Sequence, residues 1–174
     1  MRLNVNNAAQ DKKNVIFATT GGKDFNPELP AIIFLHCAGA DHSIWYLQTR
    51  YFAYHGYSIL AVDFPGHGRS EGEFFKSIEE MADWVIRFMD VIKLKKAKVI
   101  GHSMGAFIAI ETAAKSPKRI EKICLMGVAS TMPVHSDLLM AAKKNKALGR
   151  DLIVHWGLGK EAQIGGHPLP GLWV

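Results

Sequence analysis

Three short segments hold the residues best suited to chemistry. The first is Gly101-His102-Ser103-Met104-Gly105. It follows the apolar run AKVI and opens the helical pattern MGAFIAIETAAKS. A serine between two glycines at a strand-to-helix turn fits a nucleophile held in a strained backbone, since bulkier residues at the glycines would collide across the turn. The hydroxyl then projects above the carboxyl end of a sheet, and the N-terminus of the next helix favours a developing negative charge. The second segment is His36-Cys37-Ala38-Gly39-Ala40, after the run IIFL. A small-residue loop there can bring the N–H of Ala38 beside that of Met104, making a pair of oxyanion donors. The alternative reading, that Ala and Gly only make a tight loop, is compatible with it.

The third segment is Asp63-Phe64-Pro65-Gly66-His67-Gly68-Arg69-Ser70. Asp63 and His67 have the side chains of an acid and a base. A Gly-flanked charged turn is also a common way to satisfy loop backbone groups, and that structural reading is preferred for both.

The elements that must position these residues are legible as apolar runs. Ala31–Cys37, Tyr57–Phe64, Ala97–His102 and Ile120–Val128 read as strands buried on both faces, as in a parallel sheet covered by helices. Between them lie helices: Ser43–His55 with Gly56 as its stop, a helix opened by Ser77 and Glu80 as a capping box, and Met104–Ser116 ended by Pro117. The stretch through Thr20 is expected to form an antiparallel edge pair. The alternation predicts an α/β fold, a mostly parallel sheet flanked by helices. After Ser130 the pattern changes. A helix is expected over Asp137–Leu148, closed by Gly149, and a short one over Arg150–His155. The stretch from Gly157 to Val174 is rich in Gly and Pro.

Composition excludes several classes. The 174 residues are 48% hydrophobic and 21% charged, which suits a globular domain rather than a disordered chain or coiled coil. No run is long enough to span a membrane and no leader-like segment opens the sequence, so a cytoplasmic location is expected. Cys37 and Cys124 fall in strand-like runs and read as buried thiols, not a disulfide framework. The net charge of +5 is partly local, in Lys93, Lys95, Lys96 and Lys98 and in Lys143, Lys144 and Lys146. Without interleaved aromatics these read as solvated edges, and no nucleic-acid partner is expected. Metal-ligand spacings and nucleotide-binding glycine patterns are missing, so no metal or cofactor is predicted.

Taken together, the three segments, running from Ala31 to Ser130 in the order oxyanion loop, Asp63–Ser70 turn, then elbow, resemble the α/β-hydrolase superfamily, in particular its small esterase-like and C–C hydrolase-like members. Cys37 departs from the family, which usually has Gly there. The resemblance implies Ser103 as nucleophile, Met104 and Ala38 as oxyanion donors, and an Asp or Glu and then a His on later strands. It implies a partial hydrolase core over residues 1–130 and the start of a truncated helical cap over 131–174. The acid and base are expected beyond Val174. Asp137 is a weak candidate for the acid. His135, His155 and His167 read as cap residues, and His102 should diverge from Ser103. His36, His42, His55 and His67 fit structural positions. The implied substrate is a small apolar molecule with an ester, thioester or related acyl bond. The alternative is a non-catalytic binding or regulatory protein that reuses the fold. Oligomeric state leaves no mark on the sequence.

Overall fold

A computed structural model describes residues 1–7, 12–144 and 146–157. Strands β1 (Arg2–Asn7) and β2 (Lys12–Thr19) form an antiparallel pair. Then come β3 (Ala31–Leu35), a 3-10 turn (His42–Trp45), α1 (Tyr46–Ala53), β4 (Ser58–Val62), α2 (Ile78–Val91), β5 (Ala97–His102), α3 (Met104–Lys115) and β6 (Ile120–Met126). Two further helices follow, α4 (Ser136–Lys144) and α5 (Lys146–Gly157). The six strands form one sheet in the order β1-β2-β4-β3-β5-β6. β4, β3, β5 and β6 are parallel, and β2 joins β4 antiparallel.

Burial explains the run pattern. Every residue of β3 and β4 is buried, because helices cover both faces of the sheet centre. On one face Ile33, Leu35, Leu60 and Val62 pack with Trp84, Val85, Phe88 and Met89 of α2 and with Ile108 of α3. On the other, Phe34, Ile59 and Ala61 pack with Trp45 and Ala53. α2 starts where expected: Ser77 Oγ accepts the Glu80 N–H at 3.2 Å. The capping box is not closed in the usual way, because the Glu80 carboxylate takes the N–H of Lys76 at 2.9 Å.

Several boundaries differ from the sequence reading. Ser43–His55 divides into the 3-10 turn and α1, because Asp41 caps at Ser43 through both its N–H and its hydroxyl. β6 is the edge of the described sheet, with one strand neighbour, and all its residues after Ile120 are exposed. Cys124 therefore lies exposed, not buried; only Cys37 is buried. The helix expected over Asp137–Leu148 ends at Lys144, and α5 absorbs the segment around Arg150. Gly149 sits inside α5 rather than stopping a helix. A β-carbon there would lie 3.1 Å from Ala142 Cα, so glycine serves the close approach of the two helices. The Gly/Pro-rich stretch from residue 158, with His167, lies outside the described residues.

Candidate active site

Ser103 sits between the end of β5 and the start of α3 with φ 54° and ψ −115°, one of two non-glycine residues at positive φ among those described. Such a backbone costs roughly 1–3 kcal/mol and persists only where its surroundings over-determine it. Here they do. The Ser103 N–H donates to Met126 O of β6 at 2.8 Å, and its carbonyl accepts from Ala106 N–H at 2.9 Å and Phe107 N–H at 3.3 Å. Both flanking glycines are required. A β-carbon on Gly101 would lie 2.6 Å from Ala106 N, and one on Gly105 would lie 2.7 Å from Leu35 C and 2.8 Å from His36 O. The obstacle in each case is backbone, which cannot rotate aside. The Ser103 hydroxyl is left outside the backbone network, half-buried at the carboxyl end of the sheet.

The packing of Gly105 against Leu35 and His36 brings the start of α3 to the loop that follows β3. In that loop Ala38 is exposed, Gly39 has φ +72°, and the Ala40 N–H turns back to Cys37 O at 3.4 Å. Among the described residues neither the Ala38 nor the Met104 N–H has a protein acceptor. The Met104 N–H is one of the unpaired donors that open α3. Ile153 of α5 rests on the same loop: a β-carbon on Gly39 would lie 3.2 Å from its Cδ1.

Asp63 and His36 hold this end of the sheet together. Leu35 and Val62 are register partners, so the residues just past them, His36 and Asp63, emerge side by side. Asp63 is fully buried. Its carboxylate accepts the His42 N–H at 2.7 Å, the His42 ring at 2.8 Å and the Arg69 N–H at 2.9 Å. Since a carboxylate can only accept, His42 Nδ1 carries the proton. Burial pushes the Asp63 pKa up, but the hydrogen bonds from His42 and Arg69 outweigh it, and the net shift is downward. Ser70 completes the turn, donating to Asp63 O at 2.7 Å and accepting the Phe17 N–H at 2.9 Å.

His36 is also fully buried. Its Nδ1 lies 2.9 Å from Cys37 O, and its Nε2 accepts the Phe64 N–H at 3.3 Å. A neutral imidazole has one donor and one acceptor, and both are used. Burial lowers its pKa to about 4, against the opposing pull of the Cys37 carbonyl. The His67 ring lies tilted against it at 5.0 Å and bonds Pro65 O at 3.1 Å, its pKa also lowered by burial. The sequence shows each residue of this network but not the link between His42 and Asp63. Strand register was the signal that could have found its neighbour, His36.

The other histidines turn elsewhere. The His102 ring lies against Gly127, where a β-carbon would come 2.8 Å from Nε2, and burial lowers its pKa. His55 bonds Tyr51 O at 2.6 Å on α1. His135 opens α4, accepting the Asp137 N–H at 3.2 Å, and its ring meets Trp156 at 5.1 Å. Asp137 stays with His135, 3.6 Å away, at an exposed helix start. His155 lies exposed on α5. Among the described residues no histidine is hydrogen-bonded to Ser103.

Asp41, His42 and Asp63 bring three potential metal-ligating atoms within 4.8 Å of one another. Donors already face those carboxylates: Ser43 N–H and Oγ on Asp41 at 2.8 and 2.6 Å, and the three N–H groups on Asp63. A cation would meet the positive ends of these bonds, so the chemistry of the cluster is hydrogen bonding. Among the described residues no helix is long and apolar enough to cross a membrane.

This sheet order, with a strand–turn–helix serine at the carboxyl end of a central parallel strand, defines an α/β hydrolase. The chain belongs to that family: residues 30–160 match the family described as alpha/beta hydrolase fold. It is 34% identical over 96 residues to the dihydrolipoyllysine-residue acetyltransferase component of an acetoin cleaving system from Cupriavidus necator, covering 55% of this chain and 25% of that one. It is 34% identical over 128 residues to a Haemophilus influenzae protein named provisionally as an esterase/lipase, covering 70% of this chain and 44% of that one. The enol-lactonase structure from Burkholderia xenovorans superposes with a TM-score of 0.71 at 26% identity, covering 81% of this chain and 55% of that one. The chain thus spans from a quarter to somewhat over half the length of these relatives.

Proposed function

We propose that this chain carries the nucleophile and oxyanion half of a serine hydrolase acting on an ester, thioester or related acyl bond of a small, mostly apolar substrate. The left-handed backbone of Ser103, wedged between glycines that no other residue could replace, is the observation that supports this most. Strain of that kind is costly to keep without use.

In this reading Ser103 Oγ attacks the acyl carbonyl while its proton passes to a histidine outside the described residues, held by a carboxylate also outside them. The N–H groups of Met104 and Ala38 receive the oxyanion of the tetrahedral intermediate. Collapse of that intermediate expels the alcohol or thiol with the proton returned from the histidine. Water then attacks the acyl-serine, releasing the acid and restoring Ser103. In this reading the described residues after Ser130 belong to the start of a cap, with Ile153 seated over the oxyanion loop. The relatives' names, an esterase/lipase, a lactonase and an acetyltransferase component, all concern acyl groups, which favours this bond class.

Loss of the base from a triad lowers turnover by several powers of ten and leaves residual catalysis from oxyanion binding. Residues 1–174 alone are therefore expected to turn over very slowly. The competing reading, a binding protein that reuses the fold, draws on the same observation that no described histidine reaches Ser103. A fluorophosphonate probe separates the two when applied to the product of the whole reading frame. Labelling that disappears in Ser103→Ala supports the hydrolase. Equal labelling of both removes Ser103 from the mechanism, and a folded protein that never labels supports the binding reading.

A further inference from the structure

Ser103 occupies the carboxyl end of β5, and a separate cleft opens at the opposite end of the sheet. Its volume is about 440 Å³, and its lining includes Lys93, Lys95, Lys96 and Lys98, with Pro27 and Pro30 on the facing wall. Only two acidic residues line it, Glu28 and Glu121. Glu121 is occupied by Lys98 at 2.8 Å. Among the described residues Lys93, Lys95 and Lys96 form no ion pair, and the lining sets four lysines against two glutamates, so the cleft carries an excess of positive charge.

Their loop is held rigidly. The Leu94 N–H returns to Met89 O at 2.8 Å, and the Leu94 side chain is buried. The Arg119 guanidinium pairs with Asp90 and donates to Leu94 O at 2.8 Å and Lys95 O at 3.4 Å. The Ala97 N–H is fixed on Arg119 O at 3.0 Å. The backbone from which these lysines project is thus held from both sides, while the lysine side chains themselves are exposed.

Lys93 is the second non-glycine residue at positive φ, 56°. It occupies the position just past the end of α2, which closes with the Lys93 N–H on Asp90 O and the Leu94 N–H on Met89 O. Helices favour glycine there, because a β-carbon is penalised in the left-handed region. The Lys93 side chain makes no hydrogen bond or ion pair among the described residues, so no fold contact accounts for a lysine at this position. Residues held in such conformations concentrate at ligand sites.

We propose that this cleft binds a small ligand carrying two adjacent phosphate groups. Ammonium groups bind phosphate as point charges. Three of them projecting from one loop can reach several phosphate oxygens at once, whereas a lone carboxylate would leave two unanswered. The volume lies within the usual range for small-molecule sites. This site does not depend on Ser103.

The test is calorimetric titration of the full chain with inorganic pyrophosphate at low ionic strength, orthophosphate serving as the single-phosphate comparison. Saturable binding of pyrophosphate, tighter than orthophosphate by about tenfold, is expected. Lys95→Ala/Lys96→Ala should lower the affinity at least about tenfold with melting unchanged. Lys93→Gly should weaken binding about fivefold, the effect of one charge at about 4 Å in water. It should also raise the melting temperature by about 2–4 °C, as the backbone penalty is removed. A merely structural lysine would not couple a gain in stability to a loss of binding. Ser103→Ala should bind pyrophosphate like the parent, which keeps this result separate from the hydrolase reading. Absence of saturable binding up to about 10 mM, or undiminished binding by the folded double variant, overturns the proposal.

Discussion

Replacing His36 with Gln should flatten the pH dependence of stability between neutral and mildly acid solution. In the fold His36 is a neutral imidazole, donating to Cys37 O and accepting the Phe64 N–H. A second proton would have to enter at Nε2, where the Phe64 N–H already points. Burial lowers the pKa from an ordinary 6.5 to about 4. Between those values the unfolded chain binds more protons than the folded one, so stability rises with pH there. The His36 contribution is complete above about pH 6.5 and is lost progressively as the pH falls toward about 4. From about pH 7.5 to about pH 5 the linkage relation gives a loss of about 2 kcal/mol from this group alone. His67 and His102, both lowered by burial, add losses of the same sign. The parent should therefore lose more than the His36 share, and the difference between parent and variant isolates that share. Gln can reproduce part of the hydrogen bonding, so the variant should be about 1–2 kcal/mol weaker at neutral pH. Urea denaturation at both pH values, extrapolated linearly, reads the four free energies. If parent and His36→Gln lose the same stability on acidification, within about 0.5 kcal/mol, His36 is not a buried neutral imidazole in the folded protein.

Asp63→Ala should cost about 3–5 kcal/mol, since it strands three donors in a buried site, and lower the melting temperature by about 10 °C. Because the folded Asp63 pKa is depressed, its stabilisation is present above the ordinary carboxylate pKa and lost as pH falls through the folded value; the variant should lack that acid limb. Gly105→Ala would put a β-carbon 2.8 Å from His36 O, so both melting temperature and Ser103 probe labelling should drop, and a variant that labels normally would contradict the packing. Residues 1–174 in isolation should bind the dye ANS and self-associate through β6, where Ile123, Leu125 and Met126 are 39%, 38% and 43% exposed. Leu125→Lys should reduce the sedimenting species, and an unassociated parent at high concentration would argue against a sticky edge.

Much of this molecule was legible in local pattern. The apolar runs at Ala31 and Tyr57 became fully buried central strands because a strand covered on both faces needs no alternation, while β5 beside them is fully buried only at alternate residues. The elbow glycines announced themselves because the clash they avoid is between backbone atoms a few residues apart, at Gly101, or on the strand just behind, at Gly105. The Gly101 constraint is short-range and leaves a mark on residue type; the Gly105 one, against Leu35 and His36 far earlier in the chain, was legible only through the G-x-S-x-G pattern. Burial of β6 could not be read the same way. Its Ile123–Met126 segment is as apolar as β3, yet whether Cys124 is covered depends on what lies beside the strand, not on the strand. Gly149 misled for a related reason: a glycine that ends a helix and one that admits a neighbouring helix look identical until Ala142 is in place. The His42–Asp63 pair spans 21 residues and the His36–Phe64 bond 28, joining loops whose meeting is decided by parallel strand register. Residue type alone put an acid and several bases near the candidate nucleophile. Tertiary structure used them to fasten the sheet's carboxyl edge, because a buried carboxylate and a buried imidazole are stable only with every donor and acceptor matched.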